Sequence, residues 1–227
     1  MKLTALAAAA ALSLGTLTGS AYAATLSGNF LVKVVNYSAG GKGRNAKANQ
    51  ENFNARYAAA GTGFADQFMY RGSLDFLVNN NPKDLDLETI GDFLSTGSGI
   101  VSGLDADVAA KRLSTPTFDL TTLFSFTEVY ANAFDVIARH DDGISIYDDG
   151  ARILSFENPT GVRTTGTGAF DGGAFTLVYA AANGNPSVLN VMGDGVPAVP
   201  LPASALLLVG ALSGFGAMAR RKARKTA

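Results

Sequence analysis

HDDGISIYDDG, residues 140–150, places two Asp-Asp-Gly triplets around one short apolar segment. Ile144 and Ile146 alternate with Ser145 and Tyr147, which is the period-two pattern of a strand with one buried face. Glycine after aspartate favours a turn, because glycine accepts positive φ angles. The stretch therefore predicts a strand over 144–147 between two turns, as part of a three-stranded meander.

Other short apolar segments follow the same pattern along the chain. In the segment 120–130, Phe124 and Phe126 lie on one face, and a glycine inside 68–78 suggests a β-bulge there. Many short strands separated by turn residues predict an all-β fold, an antiparallel β-sandwich rather than an α/β fold. The predicted strands are 30–35, 68–78, 120–130, 134–139, 144–147, 153–156 and 174–179.

Two segments have helical features. Residues 44–60 have a helical composition, but their only apolar pair at i, i+4 spacing is Phe53 and Tyr57, so we expect a short surface helix or an ordered loop. Residues 84–88 alternate Asp and Leu, which fits a strand and equally fits a helix that begins at Asp84 as its N-cap.

Charge is distributed unevenly along the chain. All 19 acidic residues lie within 24–196, whereas six of the 18 basic residues lie outside it, so this segment has a net charge of about −7. Such a surface disfavours nucleic acid, since phosphate binding needs clustered Lys and Arg, and it is compatible with divalent cations. The absence of cysteine excludes thiol catalysis and thiolate zinc sites.

The N-terminal 23 residues have the order of a secretory signal peptide. Lys2 supplies the positive start, residues 3–17 are almost entirely Ala and Leu, and Ala21 and Ala23 form a small-x-small site before Ala24. We predict that signal peptidase removes residues 1–23 and that residues 24–196 form one exported domain.

The C-terminal segment, residues 197–227, contains an uncharged run at 201–219. Nineteen residues are enough to span a hydrocarbon core of ~30 Å as a helix. A basic cluster follows the run and would stay cytoplasmic, so that the acidic domain faces outward. The cluster consists of Arg220, Arg221, Lys222, Arg224 and Lys225.

Val199-Pro200-Leu201-Pro202-Ala203 lies at the start of this apolar run. Motif, apolar helix and basic cluster together resemble the PEP-CTERM class of bacterial sorting signals, in its VPLPA variant. The resemblance implies an exosortase, a membrane-embedded cysteine transpeptidase, as processing enzyme, and a Gram-negative host that makes extracellular polysaccharide. The protein would pass from the inner membrane to the cell surface or the extracellular matrix. A plain membrane anchor without processing is the alternative.

The segment 141–150 resembles the D-D-G-x-x-L-x-h-D-G signature of PA14-type β-sandwich domains. Asp148 departs from it, because an apolar residue is usual there. In sugar-binding members, the two neighbouring aspartates hold a calcium ion that also contacts a carbohydrate. The matching residues are Asp141 and Asp142, the metal-binding pair, followed by Ile146, Asp149 and Gly150.

A second loop supplies further ligands in that family, and the resemblance places Asn183 or Asn185 there. The expected metal site is therefore Asp141, Asp142 and Asn183, with Ca²⁺ as the ion. Turn formation alone is the alternative role for both asparagines and for both Asp-Asp-Gly triplets.

The sequence carries few signs of catalysis. His140 is the only histidine, and no G-x-S-x-G motif is present. We interpret His140 as a turn residue or a contact to the metal-binding aspartates, with a general base as the alternative. We predict a non-enzymatic surface or matrix protein that binds calcium and polysaccharide. A purely structural protein without ligand and a glycoside hydrolase acting on exopolysaccharide are the alternatives.

We expect the secreted form to begin at Ala24 and to end near residues 199–203. Intact-mass and terminal-peptide mass spectrometry of the culture fraction would measure both ends and any modification of the new C-terminus. Recovery of the uncut polypeptide from the cytosol alone would contradict both predicted signals.

Overall fold

The computed structural model describes residues 24–78 and 88–194. The predicted signal peptide, the segment 84–87, the motif at 199–203 and the tail with its basic cluster lie outside these ranges. Among the described residues, none of the helices has the length and apolar character needed to cross a membrane.

The described ranges contain thirteen strands, three helices and one 3₁₀ turn, at Gly43–Asn45. The helices are α1 (Gln50–Ala59), α2 (Ile90–Ser95) and α3 (Ala106–Ala109). The strands are β1 (Ala24–Thr25), β2 (Ser27–Tyr37), β3 (Ala65–Ser73), β4 (Asp75–Val78), β5 (Ile100–Ser102), β6 (Thr121–Tyr130), β7 (Phe134–Asp141), β8 (Ile144–Asp148), β9 (Ala151–Phe156), β10 (Arg163–Thr164), β11 (Gly168–Phe170), β12 (Gly173–Ala181) and β13 (Ser187–Asp194).

The strands form two antiparallel sheets. A seven-stranded sheet has the order β5-β3-β2-β6-β12-β8-β9. A six-stranded sheet has the order β1-β13-β7-β10, with β4 also paired to β13 and β11 to β7. The predicted all-β antiparallel sandwich is therefore confirmed.

The core between the sheets is rich in aromatic side chains. Phe124 and Phe126 of β6 are both fully buried there, as their shared face predicts. The Phe126 ring lies 6.1 Å from the ring of Phe30 in β2 and 5.9 Å from that of Phe76 in β4, between ring centroids. One side chain of β6 thus joins strands of both sheets.

Helix α1 covers the outer face of the seven-stranded sheet. The side chain of Asn49 caps the helix by accepting a hydrogen bond from the Asn52 N–H at 2.8 Å. Phe53 is buried against Val178 and other outer-face side chains, and its ring lies 5.6 Å from that of Tyr57. The expected short helix and its aromatic pair are confirmed.

Two sequence predictions about strand continuity are wrong. The segment 68–78 contains no bulged strand: it is split at Leu74 into β3 and β4, which belong to different sheets. The predicted meander through 140–150 is also not formed, because β7 and β8 lie in opposite sheets. Of the three strands predicted for the meander, β8 and β9 form a hairpin, and the second Asp-Asp-Gly triplet is its turn.

The sequence analysis also missed several elements. Helix α2 begins after Thr89, whose side chain and that of Asp92 form a capping box. Strand β13 pairs with β1, β4 and β7 and is central to the six-stranded sheet. Its polar residues and its glycine break the alternation by which a strand is recognised.

Phe126→Ala is expected to lower the free energy of unfolding by about 3–5 kcal/mol, because it removes a buried ring and leaves a cavity. Val129→Ala, on the same strand but 70% exposed, should change the free energy of unfolding by less than about 0.5 kcal/mol. Urea denaturation of both variants measures the difference. Equal losses would contradict the assignment of Phe126 to the central core.

Candidate functional site

The candidate site lies where the chain crosses from one sheet to the other. Asp141 is the last residue of β7 and pairs with Val188 in the six-stranded sheet. Ile144, the first residue of β8, pairs with Tyr179 in the seven-stranded sheet. Two residues outside the strands, Asp142 and Gly143, therefore bridge one end of the sandwich.

Space explains the glycine of this first triplet. A Cβ atom built on Gly143 would lie 2.4 Å from the carbonyl oxygen of Glu157 and 3.0 Å from the Cβ of Ala48. Any larger residue would displace the backbone after β9. Gly143 is therefore needed because the backbone of Glu157 lies so close to it. Gly150 of the second triplet is needed for a different reason, because it adopts a φ of 83° in the β8–β9 turn.

The Asp142 carboxylate holds the loop after β12. Its Oδ2 accepts hydrogen bonds from the backbone N–H groups of Ala182 at 2.6 Å and Asn183 at 3.0 Å. The residue is 0% exposed, and its Oδ1 is buried without a hydrogen-bond partner. The carboxylate is thus anchored on one oxygen and unsatisfied on the other.

Asp141 is buried beside it. Its side chain is 2% exposed, and its Oδ1 also has no hydrogen-bond partner. Its backbone carbonyl accepts a hydrogen bond from the hydroxyl of Tyr179. The peptide between Asp141 and Asp142 is cis.

Burial makes the ionised form of this pair unfavourable. Desolvation raises the pKa of the Asp141 carboxyl to about 6, although hydrogen bonding from the Asp142 side chain and the Val162 backbone lowers it in part. Desolvation and then the nearby Asp141 charge raise the pKa of Asp142 well above its ordinary value. Without a neutralising partner, the two carboxyls resist carrying two negative charges at once.

The aspartates of the second Asp-Asp-Gly triplet are less buried and accept backbone hydrogen bonds, although Oδ1 of Asp148 is buried without a hydrogen-bond partner. Asp148 Oδ2 accepts a hydrogen bond from the Asp171 N–H, and Asp149 Oδ1 accepts one from the Ala174 N–H, both at 2.8 Å. The triplet lies at the opposite end of β8. It is a turn, and it provides a control for the first triplet.

Of the two roles predicted for His140, a turn residue and a contact to the aspartates, the structure shows the second. His140 lies in β7, fully buried, with its ring 5.7 Å from that of Phe156. Its Nδ1 contacts the carbonyl oxygen of Asp142, so the predicted contact to the aspartates is made. Burial lowers the pKa of the ring, and the buried position does not suit a general base that must reach a substrate.

The structure brings Asn183 to the aspartates through its backbone. Its side-chain amide donates to the carbonyl oxygen of Thr160 at 3.4 Å, which links the loop after β12 to the loop after β9. The Thr160 backbone also lies close enough to the Asp142 carboxyl to lower its pKa in part. Asn185 lies two residues on, with its Nδ2 buried and unpaired. Ligation by the Asn183 side chain stays a prediction.

Sequence reasoning missed the loop after β9. A cavity of about 390 Å³ opens there next to Thr160, and polar groups form much of its wall. The turn-forming composition of 158–161 marks a loop but does not show that it packs against Asp142. The lining residues are Ser155, Phe156, Glu157, Asn158, Pro159, Thr160 and Arg163.

A strained aromatic residue lies nearby. Phe118, in the loop before β6, has a φ of 56°, an uncommon conformation for a bulky residue. It packs against the small cluster formed by Ala39, Ala46 and Ala182. Such strained residues persist where the surrounding structure holds them and are concentrated at binding sites.

The donor set fits a hard cation better than a transition metal. In the described part of the chain, no three His, Cys, Asp or Glu side chains are grouped closely enough to hold a metal. Asp141 and Asp142 nevertheless each present a buried carboxylate oxygen without a partner, and asparagine and backbone oxygens lie on the adjoining loops. Calcium accepts such mixed oxygen ligands.

No family model and no curated protein matches the chain. Among solved structures, the chain is similar to the PA14 domain of the antifreeze protein MpAFP, with 17% identity and a TM-score of 0.47, over 77% of this chain and 88% of that one. It is also similar to the PA14 sugar-binding domain from an RTX adhesin, with 17% identity and a TM-score of 0.46, over 73% and 90%.

A weaker likeness is to the GH31 alpha-xylosidase of Xanthomonas citri, with 9% identity and a TM-score of 0.25, over 75% of this chain and 22% of that one. The first two structures belong to the family that the segment 141–150 resembles. With TM-scores below 0.5, none of the three carries an argument about function, which rests on the geometry of the site.

Asp141→Asn is expected to gain stability relative to the wild type as pH rises. An unfolded aspartate ionises near pH ~4, whereas the folded Asp141 does so only at about 6. Between these values the unfolded state has already lost a proton that the folded state keeps, so the wild type loses up to about 1.4 kcal/mol per pH unit relative to the variant.

Urea denaturation of both proteins from pH 4 to 7, in buffer with a calcium chelator, measures this difference. Below the ordinary pKa of histidine, His140 makes the free energy of unfolding rise with pH. It does so in both proteins and does not affect their difference. A pH-independent difference between them would contradict the raised pKa of Asp141.

Proposed function

We propose that this protein is an exported cell-surface or matrix protein whose sandwich binds calcium through Asp141 and Asp142 and binds polysaccharide at the same end. One observation carries the proposal. Two adjacent carboxylates are buried at the crossing between the sheets, and each keeps an oxygen without a hydrogen-bond partner. Buried charge of this kind needs a partner of opposite sign.

A divalent cation supplies that partner. Removing water from two neighbouring carboxylates is costly, and bound calcium would favour the ionised form of both. Asp141 and Asp142 would hold the ion through their free oxygens, while Oδ2 of Asp142 keeps its backbone hydrogen bonds. Asn183 is the candidate for a further oxygen ligand.

The surroundings of the pair support a carbohydrate ligand. The cavity beside Thr160 has a polar wall that includes Ser155, Glu157 and Asn158. Hydroxyl-rich ligands need such donors and acceptors, because a buried polar group without a hydrogen bond is costly. Direct contact of sugar hydroxyls with calcium is what the PA14 resemblance implies.

Export and sorting form the remainder of the proposal. The apolar N-terminal segment with its Ala21-Tyr22-Ala23 site supports removal by signal peptidase. The motif at 199–203, the uncharged run at 201–219 and the basic cluster support sorting by an exosortase. The net charge of about −7 of the exported segment agrees with a role that does not involve nucleic acid.

Calcium titrated into the purified chain is expected to bind one site and to raise the melting temperature. At a free concentration 100 times the dissociation constant, the added free energy of unfolding should be about 2.7 kcal/mol. Asp141→Asn/Asp142→Asn should abolish the heat of binding in isothermal titration calorimetry. The variant preserves shape and keeps an acceptor oxygen at each position.

Asp148→Asn/Asp149→Asn is the matched control, because it makes the same change in the second Asp-Asp-Gly triplet. It should leave calcium binding unchanged. Equal heats for wild type and the 141/142 variant would refute the metal site. The absence of any calcium effect would instead favour a purely structural matrix protein.

A further inference from the structure

Basic side chains are concentrated on one loop of this acidic domain. Of the 12 basic residues within 24–196, four lie between 42 and 56. Lys42 and Arg44 are exposed on either side of Gly43, at the start of the 3₁₀ turn. Arg56 is set apart from them, because its guanidinium stacks 4.6 Å from the centroid of the Tyr37 ring.

This loop packs against the rim of the candidate site. A Cβ atom built on Gly43 would lie 3.5 Å from the Phe118 ring and 3.7 Å from Cγ of Pro159. Pro159 precedes Thr160, whose carbonyl oxygen accepts a hydrogen bond from the Asn183 side chain, and the Asn183 N–H donates to Oδ2 of Asp142. Lys42 and Arg44 therefore flank a residue that packs against the loop next to Asn183 and Asp142.

A second route of contacts gives the same placement. Phe118 packs on Ala182, and the N–H of Ala182 donates to Oδ2 of Asp142 at 2.6 Å. The loop that carries Lys42 and Arg44 thus lies on two walls of the site. Lys42 and Arg44 do not form ion pairs with Asp141 or Asp142, because both aspartates are buried and both basic side chains are exposed.

A third cation lies on the cavity side. Arg163 lines the cavity next to Thr160 and is exposed. Its guanidinium lies 5.3 Å from the centroid of the Phe156 ring, a contact that orients the group at the cavity wall. Lys42, Arg44 and Arg163 are therefore all exposed cations close to the loop that contains Pro159 and Thr160.

The acidic residues nearby are already engaged. Glu157 in the cavity wall forms an ion pair with Arg152 and accepts a hydrogen bond from Asn49 at 2.9 Å. Asp119, near the Gly41 side of the loop, accepts a hydrogen bond from the Thr117 hydroxyl at 2.7 Å. Lys42, Arg44 and Arg163 are therefore exposed cations that a ligand can approach.

We infer that the polysaccharide bound at this site carries carboxylate groups, as uronic acids do, and that Lys42, Arg44 and Arg163 bind them. The inference rests on the proposed calcium and polysaccharide site and specifies its ligand class. Guanidinium and ammonium groups form charge-assisted hydrogen bonds with carboxylates, and calcium also coordinates carboxylate oxygens. A neutral sugar would contact the calcium ion but would form no ion pairs with Lys42, Arg44 and Arg163.

Trigalacturonate and maltotriose are suitable probes, since both are short enough to avoid gel formation with calcium. The full chain, purified in a detergent without a sugar head group, is first titrated with calcium and then with each trisaccharide at fixed free calcium. Trigalacturonate is expected to bind at least about tenfold more tightly at low salt, from several exposed charge contacts of ordinary strength. The advantage should shrink in 0.5 M salt, where screening is strong (roughly a 4 Å Debye length).

Lys42→Gln, Arg44→Gln and Arg163→Gln should each weaken trigalacturonate about threefold and leave maltotriose unchanged. Arg71→Gln is the matched control, because Arg71 is exposed on β3 opposite Asn29, towards the far end of the sandwich. All four variants should keep the wild-type affinity for calcium, which shows that the site has remained intact.

Equal affinity for both trisaccharides, or an equal effect of Arg71→Gln, would overturn this inference while leaving the calcium site in place. Calcium binding without binding of either sugar would overturn the polysaccharide role. Absence of a calcium heat in the first titration would overturn the proposed function and this inference together.

Discussion

Two carboxylates buried side by side are the constraint on which this end of the sandwich depends. Asp142 accepts hydrogen bonds from Ala182 and Asn183, so that the crossing between the sheets and the loop after β12 are joined through one side chain. The free oxygens of Asp141 and Asp142 leave the pair electrostatically unsatisfied. Protons relieve it at low pH, and the proposed calcium ion would relieve it at neutral pH.

The rest of the fold supplies a rigid frame for this pair. Aromatic rings centred on Phe126 fill the space between the sheets, and helix α1 covers the outer face of the seven-stranded sheet. This packing fixes the positions of the strand ends. Loops from distant parts of the chain meet at one of these ends, around Asp142. Loops positioned by a packed scaffold in this way are common among binding proteins. This arrangement also explains how a basic loop near Gly43 comes to lie beside buried acids.

The two Asp-Asp-Gly triplets show that the same three residues can have different structural roles. The triplet that ends at Gly150 forms a hairpin turn, in which Asp148 is half-buried, Asp149 is exposed and each accepts a backbone hydrogen bond. The triplet that ends at Gly143 crosses between sheets, and its carboxylates are buried without full pairing. The two triplets have the same composition. The different environments of their carboxylates therefore come from the place that each triplet occupies in the sandwich.

Alternation and turn residues are local signals, and they were enough to predict the all-β class and the strands β2, β6, β7, β8, β9 and β12. The aspartate pair was predicted as the site from its resemblance to a family motif. The placement of β7 and β8 in different sheets could not be predicted in this way. That choice depends on the pairing of Asp141 with Val188 and of Ile144 with Tyr179, and no local pattern encodes the partner of a strand. The burial that gives the aspartates their chemistry follows from the same long-range pairing.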